Sequence, residues 1–432
     1  MGSTDWRTFV KRLPERMWFR LVSFSGGALL LVVVAWAAGP ILPSALAVEF
    51  GQDAAMRILQ ILAASMLGVT TFSLTAMITA YAAAAGGTTP RATQLLIADR
   101  TSQNTLSTFL GTFVFAIAGI VALSTNTFTE EGRSVLFLGT LAVIALVVTT
   151  LLRWINHLTG FGRVPDVIDR VERAATDAIR VYAHEPHLGG VAPTAVPDGA
   201  RTVLADQVGY VTGVHMARLQ RVADAAGVTV HVDTIPGAFV GKGTPLARVV
   251  GPVTSADAED DDSTEASPDD AWAKVRGAFR VEKHRTYEQD PQLGLIALAE
   301  IGSRALSPAV HDPGTAVDVL GAVERVVTEL LDCEAVDEPR FPRVHVPAVA
   351  LEDLLDGAFR PLARDGAGVV EVGLRVQKVL GNLVRVASEE GEREVFRAAS
   401  ARAAERAGRG LDDAGDVALV KDAADKVRGT TI

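Results

Sequence analysis

From Ile58 to Pro90 the chain carries no charged residue. The run is too long for a strand and too apolar for a loop, and it predicts a membrane-spanning helix over Met56–Gly87. Helical throughout, it would reach about 45 Å. That exceeds a hydrocarbon core of about 30 Å, so the helix is expected to tilt, kink or project. Gly86-Gly87 followed by Pro90 predicts a break at its end. The two sides of this helix differ. At about 100° per residue, Ser65, Gly68, Thr71, Phe72, Thr75 and Thr79 share one sector, and Leu59, Leu62, Met66, Val69, Leu74 and Met77 lie opposite. Two readings fit the hydroxylated stripe. Small residues let transmembrane helices pack closely, with Ser and Thr bonding across the contact or back to their own helix. Alternatively the stripe lines the axis of a symmetric oligomer, with Phe72 as an apolar constriction. The second reading makes Ser65, Gly68, Thr71, Phe72, Thr75 and Thr79 the candidate pore-lining set.

A mean hydropathy of +0.26 with 21% charged residues is too apolar for an ordinary soluble enzyme and too charged for a wholly membrane-embedded chain. The charges divide accordingly: residues 1–160 carry a net +3, and the rest carry −13. An acidic soluble portion leaves no basic surface for phosphates, which excludes nucleic acid as a partner. The single cysteine, Cys333, excludes an internal disulfide and any multi-cysteine metal site.

Three further spans are expected. Leu21–Leu42 outlasts a signal-peptide core and reads as a retained first span, closed by Pro40 and Pro43. The third covers Thr105–Ser124, where Gly111 and Gly119 permit close packing, and the fourth covers Ser134–Trp154. Together they make residues 1–160 a four-span domain. Arg7, Lys11, Arg12, Arg16 and Arg20 precede span one, and Arg153 and Arg163 follow span four. The positive-inside rule then puts both termini in the cytoplasm of a multi-pass inner-membrane protein. No acid or base is expected inside the bundle, and there is no inverted repeat of the transporter kind.

Residues 161–254 read as a linker helix and a small β-rich domain. Val164, Val167, Ile168, Val171, Ala175, Ala178, Ile179 and Tyr182 repeat at helical spacing. His184 and His187 flank a turn and make a weak metal pair. Strands are expected at 201–205, 209–216 and 228–234, with Gly209-Tyr210 at a turn, and a short helix over Ala217–Ala226. The string from Gly237 to Val249 (G-x-x-V-x-x-G-x-P-L-x-x-V) resembles the second half of a lipoyl/biotinyl-type barrel-sandwich. Lys242 sits in the G-K-G turn and not at a carrier hairpin tip, which implies a structural fold and no swinging arm. Residues 255–270 hold eight acidic side chains and no basic one, and read as a self-repelling linker that calcium or another divalent cation can visit.

Residues 271–432 read as mainly helical, with a strand near Phe341–Val346 and helices over Val349–Arg364, Gly368–Ala387, Gly391–Ala407 and Asp412–Arg428. The densest motif opens this part. Asp290-Pro291 and Asp312-Pro313 each predict a helix start, with Asp as cap and Pro as first residue. The loop between brings Ser307, His311 and Asp312 together. A Ser–His–Asp hydrolase is disfavoured, because no strand–elbow–helix surrounds the serine and Asp312 has a capping role. Gln289, Asp290, Ser307, His311 and Asp312 therefore stand as a candidate ligand or inter-subunit site, and no catalytic residue is assigned.

Thr89-Pro90-Arg91, Asp99-Arg100, Gly209–Val211, the P-G-x-F-V-x-x-G-x-P-L of Pro236–Leu246 and the Q-D-P…A-L-S-P-A-x-x-D-P-x-T-A of Gln289–Ala316 together resemble the bacterial family called domain of unknown function 2254. The resemblance implies a predicted inner-membrane protein and no particular activity. Many members carry Asn where His311 stands, which argues against catalysis by that histidine. The expected protein is a membrane helical bundle of four spans with a cytoplasmic α+β body, assembled as a homo-oligomeric, cation-permeable channel. The lipid bilayer and permeant ions are its other partners, and a divalent ion or ligand at the body is its gating signal, acting at Asp260–Asp262 or at Asp290 and Asp312. The alternatives are a non-conducting scaffold or sensor and, last, a membrane-attached hydrolase at the Ser307–Asp312 loop.

Overall fold

The computed structural model describes residues 17–38, 52–97, 99–125, 129–251, 268–336 and 338–430. Most of the acidic stretch 255–270, the basic residues before Met17, and Pro40 and Pro43 lie outside them. The chain divides into two units: Met1–Gly86 with Thr93–Asp166, and Gly87–Ala92 with Val167–Ile432.

The first unit is helical: α1 (Met17–Ala38), α2 (Gln52–Gly87), the short α3 (Pro90–Ile97), α4 (Arg100–Ser124) and α5 (Glu130–Gly160). Three of these are long and apolar enough to cross a membrane, over Ala54–Gly87, Arg100–Ser124 and Gly132–Gly160, and a shorter apolar stretch lies at Leu21–Ala37. α2 runs unbroken for 36 residues and ends at the Gly86-Gly87 pair. The core of this unit gathers Val32 and Ala35 from α1, Leu59, Leu62 and Met66 from α2, Phe109 and Phe115 from α4, and Leu136 and Trp154 from α5. Gly111 and Gly119 serve close packing. A methyl group on Gly111 would sit 3.2 Å from the Phe24 backbone, and one on Gly119 would sit 3.0 Å from the Leu59 side chain.

One expectation for this unit is corrected. Asp99 is 9% exposed, so the bundle does hold a buried acid. It caps α4 by accepting from the Ser102 N–H and hydroxyl at 2.7 and 2.6 Å, and His157 Nε2 of α5 lies 3.1 Å from the same carboxylate oxygen. The His157 ring stacks on Trp154 and lies tilted against Phe161. The two partners are far apart in sequence, and only the packing of α4 beside α5 brings them together.

The second unit begins with the amphipathic helix α6 (Val164–His184), whose buried face is Val167, Ile168, Val171, Ala175, Ala178 and Ile179. Two sheets follow. One has the order β1 (Arg201–Leu204), β5 (Pro245–Val250), β3 (Thr229–Val232), β7 (Val344–His345), antiparallel except for β3 with β7. The other is antiparallel with the order β4 (Phe239–Val240), β2 (Gly209–Val214), β6 (Phe279–Glu282). Their inward residues, including Val203, Val211, Val230, Leu246 and Val249, share a core with α7 (Met216–Ala226) and α8 (Pro268–Arg276). Gly209 starts β2 and is not a turn residue; a side chain there would meet the Glu282 carbonyl at 2.5 Å.

The remainder is helical: α9 (Pro291–Ala305), α10 (Pro313–Asp332), α11 (Leu351–Asp365), α12 (Val370–Val386), α13 (Glu390–Gly410) and α14 (Ala414–Arg428). α9 packs on α10 and α11, and its Gly294 faces α6. A methyl group on Gly294 would overlap Ala175, whose Cα is 2.6 Å from that point. Gly294→Ala therefore forces α6 and α9 apart. It is expected to destabilise the protein by about 1–3 kcal/mol, measured as earlier denaturation of the detergent-solubilised chain.

Candidate functional site

The Gln289-Asp290-Pro291 motif is a structural hub. Asp290 is 2% exposed. One of its oxygens accepts from the Gln292 and Leu293 N–H groups at 3.1 and 3.2 Å, which caps α9. Arg285 forks onto the same carboxylate at 2.6 and 2.8 Å. Gln289 Oε1 accepts the Val214 N–H of β2 at 2.8 Å, tying the helix start to the sheet. Gly237, at φ +97°, lies so close that a side chain would meet Asp290 and Arg285 at 2.9 Å. Both carboxylate oxygens of Asp290 and the Gln289 carbonyl oxygen are thus engaged within the protein.

The loop between α9 and α10 does not assemble a triad. Ser307 donates to the Arg304 carbonyl at 2.7 Å. Asp312 caps α10, accepting from the Thr315 N–H at 3.1 Å and its hydroxyl at 2.6 Å, and these bonds hold its carboxyl below the usual range. His311 is exposed, with φ +47°. That left-handed conformation suits Asn and Gly better than His. The His311 N–H donates to the Ser307 carbonyl at 2.9 Å, and the side-chain bonds of Ser307 and Asp312 run to Arg304 and Thr315, not through His311 as a relay.

Of the His184 and His187 pair, His187 Nδ1 lies 2.7 Å from the Val346 carbonyl. Among the described residues no three His, Cys, Asp or Glu side chains gather as a metal site needs. Lys242 is exposed on its turn.

The stripe on α2 has a defined place. Ser65, Gly68, Thr71, Phe72, Thr75 and Thr79 are all exposed, Phe72 at 69%. From the opposite side Leu59, Leu62, Met66 and Met77 are buried, Val69 is half-buried, and Leu74 is exposed. The stripe therefore does not pack inside its own bundle. Its hydroxyls bond their own helix: Ser65 to the Leu62 carbonyl, Thr71 to Leu67 and Thr75 to Thr71, at 3.0 to 3.1 Å.

The residues directly after this helix form a feature that sequence reasoning missed. Segment 87–92 belongs to the second unit. Thr88, Thr89 and Ala92 are buried, Arg91 forms an ion pair with Glu300 of α9, and the Tyr287 hydroxyl donates to the Arg91 carbonyl at 3.3 Å. Burial pushes the Tyr287 phenol up to about 12. Beside this segment, α9 and α11 leave a cleft of about 460 Å³. The T-P-R string was visible, but its partners lie some two hundred residues away, and no local signal pairs them.

A family model described as a predicted membrane protein (DUF2254) matches residues 14–382. Uncharacterized proteins of Mycobacterium bovis and Mycobacterium tuberculosis are each 26% identical over 247 residues, covering 55% of this chain and 45% of theirs. The chain thus aligns with less than half the length of these relatives. No solved structure matches.

Removing Arg285 would leave the Asp290 carboxylate buried without its counter-ion. Arg285→Ala is expected to cost about 3–5 kcal/mol. The double variant with Asp290→Asn should recover part of that loss in the same denaturation assay, since the uncompensated charge is gone.

Proposed function

We propose that this chain, which belongs to the DUF2254 family of predicted membrane proteins, assembles through its second span into a homo-oligomeric conduit for ions. The observation that carries the reading is the outward exposure of the α2 stripe. A hydroxylated face that the chain does not cover itself is available to line an axis between copies, and Phe72 is placed to constrict it. Uncharged hydroxyls tolerate cations. α1 completes a four-span bundle, both termini lie in the cytoplasm, and the membrane is the inner one. The two small sheets serve as a barrel-sandwich-like platform with a structural role, and the protein is not an enzyme. Docking of segment 87–92 on the body gives a cytoplasmic signal, a divalent cation or other ligand, direct purchase on the end of span two.

A second reading, a non-conducting scaffold or sensor, draws on the hydroxyls of Ser65, Thr71 and Thr75, which are satisfied by their own helix and do not need water. The discriminating experiment is ion flux from liposomes holding the purified protein, under potassium, sodium and chloride gradients, with and without calcium. A conduit predicts cation flux that Thr75→Leu lowers and Phe72→Ala raises severalfold, with assembly unchanged. A scaffold predicts no flux under any gradient and disturbed assembly in Thr75→Leu.

A further inference from the structure

We propose that the cleft between α9 and α11, beside segment 87–92, binds the phosphate of an organic phosphate ester. Three arginines line it, Arg91, Arg304 and Arg364, with Glu300 paired to Arg91 and Asp365 paired to Arg364. Counted over these side chains, the cleft keeps one net positive charge, whereas residues 161–432 as a whole carry a net −13. The cleft, at about 460 Å³, is within the size range of small-ligand sites.

The chemistry of the lining narrows the ligand. Guanidinium groups present planar forks that match phosphate oxygens and hold charge at any physiological pH. Arg91 is held by Glu300, and Arg364 is held by Asp365 at 2.7 and 2.9 Å, so both heads are oriented before a ligand arrives. Arg304 is exposed on the last turn of α9. Glu300 repels a small, fully charged anion but can accept from a hydroxyl, which favours a phosphate ester bearing hydroxyls over inorganic phosphate. Ile296 and Pro361 add apolar surface. Gly357 lets α11 approach Ile296, since a methyl group there would lie 3.2 Å from that side chain. Thr89 follows the last residue of α2, Gly87, by two positions, so the cleft lies within about 10 Å of chain from the end of a span. A lipid headgroup and a soluble ester both meet this description. The inference does not require that the protein conducts.

Calorimetric titration of the full chain in detergent tests it, with three probes: a short-chain phosphatidylglycerol, glycerol 3-phosphate and inorganic phosphate. Saturable binding of at least one ester is expected, tighter than that of inorganic phosphate. Arg304→Gln/Arg364→Gln should weaken it at least tenfold, and Arg304→Lys/Arg364→Lys should fall between, since charge stays and the fork is lost. Lipid binding at least tenfold tighter than glycerol 3-phosphate identifies a headgroup; comparable affinities identify a soluble ester. The proposal is overturned if neither ester binds saturably. It is equally overturned if the glutamine pair binds as the wild type does, or if phosphatidylcholine of the same chain length binds as tightly and glycerol 3-phosphate does not bind.

Discussion

Asp290 is a carboxylate held almost wholly out of water, and burial of that kind is tolerated only when every lone pair is used. Here the Arg285 fork and two backbone N–H groups donate four bonds to the carboxylate, three to one oxygen and one to the other. The result fixes more than one helix end. Arg285 and Gly237 crowd the same carboxylate, so the turn before β4 is set against the start of α9. Gln289 adds the bond to β2. With its start pinned to a sheet, α9 presents Gly294 to α6 and Glu300 to Arg91 at fixed heights. The membrane-following segment 87–92 thereby meets a rigid element.

Much of this was legible because it is local. Asp followed by Pro marks a capped helix start whatever lies around it, and both α9 and α10 begin where that rule puts them. The apolar face of α6 and the glycine contacts of the bundle follow from period and size in the same way. What sequence alone withheld is non-local. His157 reaches Asp99, and Arg91 reaches Glu300, only after distant segments pack. A Ser, a His and an Asp within six positions suggested chemistry, whereas the backbone turns Ser307 and Asp312 each to its own cap or carbonyl.

The α2 stripe illustrates the opposite lesson. Periodicity correctly divided its two faces, yet the division alone left open which face meets the rest of the chain. The packed side is the larger and more apolar one, because burial of Leu59, Leu62 and Met66 against Phe109 and Phe115 removes the most apolar surface. The small hydroxylated side contributes little to such packing. It is left outward, where only lipid, water or another copy can cover it.

Those three coverings differ in what reaches Thr75. The lone native cysteine, Cys333, is free and simple to replace, so a Cys333→Ser background permits a single reporter at Thr75→Cys. Labelling that residue in membranes with a water-soluble thiol reagent tests the conduit directly. A conduit predicts rapid modification at Thr75→Cys and little at Leu74→Cys, which is exposed on the same helix but belongs to the side opposite the stripe. Equal protection of both positions in folded, membrane-inserted protein would mean that lipid or a closely packed copy, and not water, covers the stripe, and would contradict the conduit.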